Sequence, residues 1–290
     1  MSRKLLTALA AASSLFCGMA QAAATVTLLE AGAAPREPLR YSFKSGASER
    51  ASVDLIMQIA MSMGGQQMPM GNTPPIRMVM GMKTTEVGQD GSARVEFEVV
   101  SAEAVGAAPG DPNAAAVAQG LAGVKGMGGS YRISPQGAIS GAAMKPAQGG
   151  AAMPALGDME QTMEQLTAPF PAEPVGVGAR WQVVQQADTG VMKVSQTAEY
   201  TLRSRKGNTI ELGVKMIDAK IDAGGMPAGT TVNGVAITGG GTMTTDLARL
   251  VPSGTMDTDT KVTISAGGAG GAGQSMDMNL KMRQVIAPAK

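Results

Sequence analysis

Histidine is absent from these 290 residues, and the single cysteine, Cys17, falls inside what reads as a leader. A chain without imidazole or thiolate after processing has no zinc site of the usual ligands, no His-based nucleophilic triad and no proton shuttle at neutral pH. It can form no disulfide either, so its stability must come from burial and a hydrogen-bonded sheet. Aromatics are scarce, with one tryptophan, three tyrosines and four phenylalanines. So few cannot build the two aromatic girdles of a barrel in the outer membrane, and the ending Ile286-Ala287-Pro288-Ala289-Lys290 lacks a terminal aromatic residue. No stretch approaches the roughly 20 apolar residues of a spanning helix, so the chain is expected not to span a membrane. Charges nearly balance, at 24 Lys and Arg against 23 Asp and Glu. Such a balance gives no long-range attraction for nucleic acid.

Catalytic templates are missing as well. There is no G-x-S-x-G elbow, no S-x-x-K pair and no phosphate-binding Walker loop. Asp257-Thr258-Asp259 lacks the glycine and distal glutamate of a calcium loop and reads as a solvated strand face. The sequence therefore predicts a protein that is not an enzyme and carries no cofactor.

Residues 1–22 have the form of an export signal. Arg3 and Lys4 make a basic start, Leu5 to Met19 an apolar run, and Ala20-Gln21-Ala22 a small-x-small cleavage site. A lipoprotein box would place a small residue before Cys17 and a leucine three positions back. Phe16 and Ser14 stand there, so Cys17 reads as part of the discarded apolar run. The expected location is periplasmic or secreted, after cleavage near Ala22.

Alternation of apolar and polar residues marks the strands. Ala51, Val53, Leu55, Met57, Ile59, Met61 and Met63 share one face; Ile76, Met78, Met80 and Met82 repeat it, and Val95, Phe97 and Val99 follow the turn at Asp90-Gly91. A second set runs through Met192 to Leu202 and, past Lys206-Gly207-Asn208, Ile210 to Met216. A third spans Thr242 to Ile286, with a turn at Pro252-Ser253-Gly254 and a loop over residues 267–273. Between the first and second sets the chain is rich in Ala, Gly and Pro. Asp111-Pro112 opens a helical stretch to Lys125, Tyr131 to Ile139 form a small hairpin, and Pro154 to Leu166 a second helix. The expected fold is mainly β: long antiparallel meanders in a curved sheet, half-barrel or sandwich, with a small helical insertion. The expected segments are 1–22 as signal, 23–104 as N-terminal meander, 105–170 as insertion, and 171–290 as C-terminal meander packing with the first as one unit.

Methionine is the abundant chemistry, with 23 residues. Met61-Ser62-Met63, Met68-Pro69-Met70, Met78-Val79-Met80-Gly81-Met82 and Met276-Asp277-Met278 are M-x-M pairs. On a strand such a pair puts both thioethers on one face about 7 Å apart. Three readings fit. The sulfurs can fill a core. They can line a cavity for a lipid or other hydrophobic molecule, with Met57, Ile59, Met61, Met78, Met80, Met82, Phe97, Met278 and Met282 as its wall. Or they can hold Cu(I) or Ag(I), for which Met68 and Met70, in the loop after Gly64-Gly65, are the nominated pair. A structural role with an envelope protein partner is the remaining alternative.

Several stretches resemble a family of uncharacterised exported bacterial proteins, described as a domain of unknown function. They are Tyr41 to Gly46, Met61 to Gln66, Thr85-Glu86-Val87 before Asp90-Gly91, Pro174 to Trp181, and Asp246 to Pro252. The resemblance runs over nearly the whole mature chain and implies export and a β-rich fold, with no activity and no site residues. In architecture the chain is similar to periplasmic lipoprotein carriers with half-barrel clefts.

Overall fold

The computed structural model describes residues 24–68, 73–106, 112–145, 167–188, 193–222, 230–268 and 271–290. The leader, Met70 and the expected second helix at Pro154 to Leu166 lie outside them.

Thirteen strands form a single antiparallel sheet. In chain order they are β1 Thr25–Glu30, β2 Ser48–Met63, β3 Gln66–Met68, β4 Ile76–Val87, β5 Ala93–Ala104, β6 Gly128–Ile133, β7 Ile139–Lys145, β8 Arg180–Asp188, β9 Lys193–Lys206, β10 Thr209–Asp222, β11 Thr230–Asp246, β12 Ser253–Gly268 and β13 Gly271–Ala289. The one helix among the described residues, α1, spans Pro112–Leu121. Strand order is β1-β8-β9-β10-β11-β12-β13-β2-β4-β5-β6-β7, with β3 added beside β2. The expectation of a mainly β fold of long antiparallel meanders with a helical insertion is met, and both meanders share one continuous sheet joined where β13 pairs with β2.

Local chemistry explains the turns. Gly91 takes φ +77° between β4 and β5, where the Asp90 carboxylate accepts hydrogen bonds from the Ser92 N–H at 3.0 Å and its hydroxyl at 2.7 Å. The helix stops four residues short of the expected Lys125. Hydrogen bonds from Val124 N–H to the Leu121 carbonyl and from Met127 N–H to that of Val124 wind the chain into tighter turns, burying Val124 and Met127. The third strand set also starts earlier than its alternation suggests, at Thr230 rather than Thr242. Gly239-Gly240-Gly241 conceals the pattern. A Cβ at Gly241 would collide with the backbone carbonyl of Thr255, and one at Gly240 with that of Val214, so side chains are excluded where these strands crowd together.

One face of the sheet covers two adjoining cores. The first gathers Val53, Met80, Met82, Val95, Phe97, Tyr131, Ile133 and Ile286; the second, Leu39, Tyr41, Phe170, Trp181, Leu202, Ile210 and Leu212. Five of the aromatics run through the second in contact: Phe43 against Tyr41 (centroids 5.5 Å apart), Tyr41 against Phe170 (5.0 Å), Phe170 edge-on to Trp181 (6.4 Å), and Trp181 against Tyr200 (5.8 Å). Phe43 packs against both cores.

Two connecting segments tie the ends of the sheet together. Tyr41 donates its N–H to the Pro135 carbonyl in the β6–β7 turn, Ser42 to Leu247 beyond β11, and Phe170 to Gln136. Since β6–β7 and β8–β9 stand near opposite edges of the strand order, contacts reaching both require the sheet to curl. It stays open between β1 and β7. The result is a curved sheet sealed by apolar segments at the end where β2 begins, β13 finishes and β11 turns into β12.

Candidate functional site

Away from the sealed end the inner face continues beyond both cores of the described residues. Residues two apart on a strand share a face, so Met57, Ile59, Met61 and Met63 extend the side of β2 that carries Ala51 and Val53. On β13 they meet Met282, Leu280, Met278 and Met276 in direct register, and on β12 the ladder continues through Thr258, Thr260, Val262 and Ile264. Val235 and Ile237 of β11 lie beyond, opposite Val262 and Thr260. Met57, Ile59, Met61, Met276, Met278, Leu280 and Met282 are all half-buried and belong to neither core.

The nominated residues therefore separate into two groups. Met80, Met82 and Phe97 are buried in the first core, and the Met82 sulfur accepts a hydrogen bond from the Tyr131 hydroxyl at 3.8 Å; Met78 packs partly against the same core. Met57, Ile59, Met61, Met278 and Met282 come together on the open face, on strands far apart in the chain. Met276, Met63 and Leu280 join them without having been nominated. The M-x-M spacing was the signal that could have found the first two, since it fixes a shared face. Met68 lies on β3 with 44% of its surface exposed, paired with Met61. Its nominated partner Met70 is outside the described residues.

The opposite face is charged and self-neutralising. Two depressions of about 720 and 480 Å³ lie there. The larger is lined by Arg50, Lys83, Lys145, Glu96 and Glu98, among others, with Lys83 directly across from Glu96. In the smaller, Arg283 holds Asp257 through two hydrogen bonds of 2.7 and 3.2 Å, which keeps the Asp257 carboxyl below the usual range. Asp54 is held down likewise by Arg77, through two bonds of 2.7 Å. Carboxylates fixed in their charged form beside guanidinium groups are poor general acids. Among the described residues no three His, Cys, Asp or Glu gather as metal ligands, and no helix is long and apolar enough to cross a membrane.

Residues 157–267 match the model of a family of unknown function (DUF6263). That stretch reaches from before β8 into β12, so the likeness to an uncharacterised family is found over the C-terminal meander rather than the whole mature chain. No curated protein matches. Among solved structures the chain is similar to the outer membrane protein OprG from Pseudomonas aeruginosa, with 9% sequence identity and a TM-score of 0.20 over 85% of this chain and 98% of that one. A likeness at that score carries no argument about fold or function.

Proposed function

We propose that this is an exported, non-enzymatic protein of the cell envelope that binds a lipid or other hydrophobic molecule on the open inner face of its sheet. The observation that carries the reading is the half-buried apolar ladder from Met57–Met282 through Ile59–Leu280 to Met61–Met278. It continues directly from a packed core yet belongs to none among the described residues. Contiguous apolar surface of this kind marks binding sites more often than unused surface. Methionine is suited to it, because an unbranched, polarizable side chain adapts to ligands of varied shape. Export rests on the leader, and a role outside catalysis on the residue types the chain lacks.

Native mass spectrometry of the protein purified from periplasm tests the reading. A bound mass extractable as lipid is expected, and it should be lost in the cross-strand double variant Ile59→Asp with Leu280→Asp but kept in Gln58→Glu on the opposite face. A bare mass, together with failure to take up an added fluorescent fatty acid, would replace the carrier with a structural protein that works through an envelope partner.

A further inference from the structure

Where β2 turns into β3, thioethers from three strands stand side by side. Met61 is paired across the ladder with Met68 of β3 on one side and with Met278 of β13 on the other. Directly opposed residues on neighbouring antiparallel strands share a face, with Cβ atoms about 5 Å apart. Met63 faces Met276 one step further along the same face.

Among the described residues, neither core takes in this cluster. Met63 is 41% exposed and Met68 44%, and Met61, Met63, Met68, Met276 and Met278 enter neither core. Where methionine does serve as packing, Met80, Met82 and Met127 in the first core and Met243 in the second, it is buried, unlike the five here. Exposed strand positions favour β-branched and aromatic side chains. Five unbranched thioethers in one patch do not follow that preference, and what they share is soft sulfur.

We propose that Met61, Met68 and Met278 form a three-coordinate thioether site for one Cu(I) or Ag(I) ion. Thioether sulfur selects soft monovalent ions over Zn²⁺, Mg²⁺ or Ca²⁺, which favour nitrogen, thiolate or oxygen donors. Three rotatable bonds in each side chain let sulfurs from adjacent strands turn toward a common point above the central Met61. The site takes its ligands across strands, whereas the pair visible in the sequence, Met68 with Met70, lies along one segment. Because thioethers carry no proton to lose, occupancy should not change between pH 5 and pH 8, unlike a site built from imidazole or thiolate. The inference does not rest on lipid binding. Metal uptake and lipid co-purification can each succeed or fail alone.

Silver is the probe, since it has no redox change to confuse the reading. The mature protein is titrated with Ag(I), followed by native mass spectrometry and by mapping of peroxide-generated methionine sulfoxides with and without the ion. One retained ion is expected, with Met61, Met68 and Met278 selectively protected from oxidation. Met61→Leu, Met68→Leu and Met278→Leu should each weaken binding by at least about tenfold, the effect that loss of even an outer-shell partner of a ligand has. Met144→Leu on β7 should bind as the parent does. The footprint of the unaltered chain decides the question even if a variant folds poorly. An ion that fails to stay bound, protection spread evenly over all methionines, or unchanged binding in the triple variant would overturn the proposal.

Discussion

The carboxylate of Glu49, at the start of β2, accepts a hydrogen bond of 2.9 Å from the backbone N–H of Leu250, 201 residues further along the chain. It also receives Val251 N–H at 3.4 Å and the guanidinium of Arg249 at 3.2 Å. Its side chain is only 11% exposed. One nearly buried acid thus fixes the β11–β12 turn to the start of the N-terminal meander, holding Leu250 and Val251 in the first core.

Glu49→Ala leaves those N–H groups without an acceptor, and an unsatisfied buried donor costs roughly 1 to 3 kcal/mol. The expected loss in unfolding free energy is about 2 to 3 kcal/mol by urea titration. Glu49→Gln should lose less, because one oxygen remains to accept from Leu250. Equal stability of all three proteins would show that the turn holds itself.

Trp181 is fully buried and donates its indole N–H to the Pro169 carbonyl at 2.9 Å. As the chain's one tryptophan, it reports on the second core alone, while far-ultraviolet circular dichroism reports on the whole sheet. Coincident urea transitions by both probes are expected if the two meanders form one cooperative unit. Two separated transitions would mean that they unfold independently. Trp181→Ala should cost about 3 to 5 kcal/mol through the cavity it leaves.

All three tyrosines resist ionisation for the same reason. Burial pushes the Tyr41 and Tyr200 hydroxyls up to about 12, and that of Tyr131 still higher. A raised folded pKa on an acid that is neutral when protonated gives stability that is complete below the unfolded value near 10 and declines as pH rises above it. Tyrosinate absorbance should therefore stay low at pH 10 and rise only together with the loss of circular dichroism. A simple titration centred near pH 10 in folded protein would contradict the buried placement.

Acid acts through the other face. Asp54 and Asp257 are held below the ordinary carboxylate range chiefly by hydrogen bonds from Arg77 and Arg283. A depressed folded pKa stabilises above the unfolded value, near 3.9, and that contribution is lost as pH falls through the folded value. Thermal midpoints should drop below about pH 4, and the drop should be shallower in Asp54→Asn with Asp257→Asn. An identical acid limb in the double variant would assign the transition to other groups.

Period-two patterning made the β2-β4-β5 meander and the β9-β10 hairpin legible, since each buries one face and turns at Asp90-Gly91 or Gly207. It also fixed which residues of β2 and β13 share a side. It could not say that those strands lie next to each other, because strand order is decided by contacts between distant segments rather than by local alternation. The cross-strand Met61–Met278 pair was therefore invisible, although each methionine was not. Met80, Met82 and Phe97 have the same alternation as Met57 and Met61. Whether a strand face is packed or left open depends on what lies over it, and periodicity carries no record of that.

The seam between β13 and β2 has a consequence for how such a chain is made. Residues 276–289 fill a place in the middle of the sheet, beside residues 50–63. Until they arrive, β2 and β12 each present a bare ladder edge, and every ladder from β1 through β12 can form only as two unattached pieces. A chain threaded through a membrane from its N-terminus would deliver the central strand last. Only when that strand is in place do the two pieces become a single sheet.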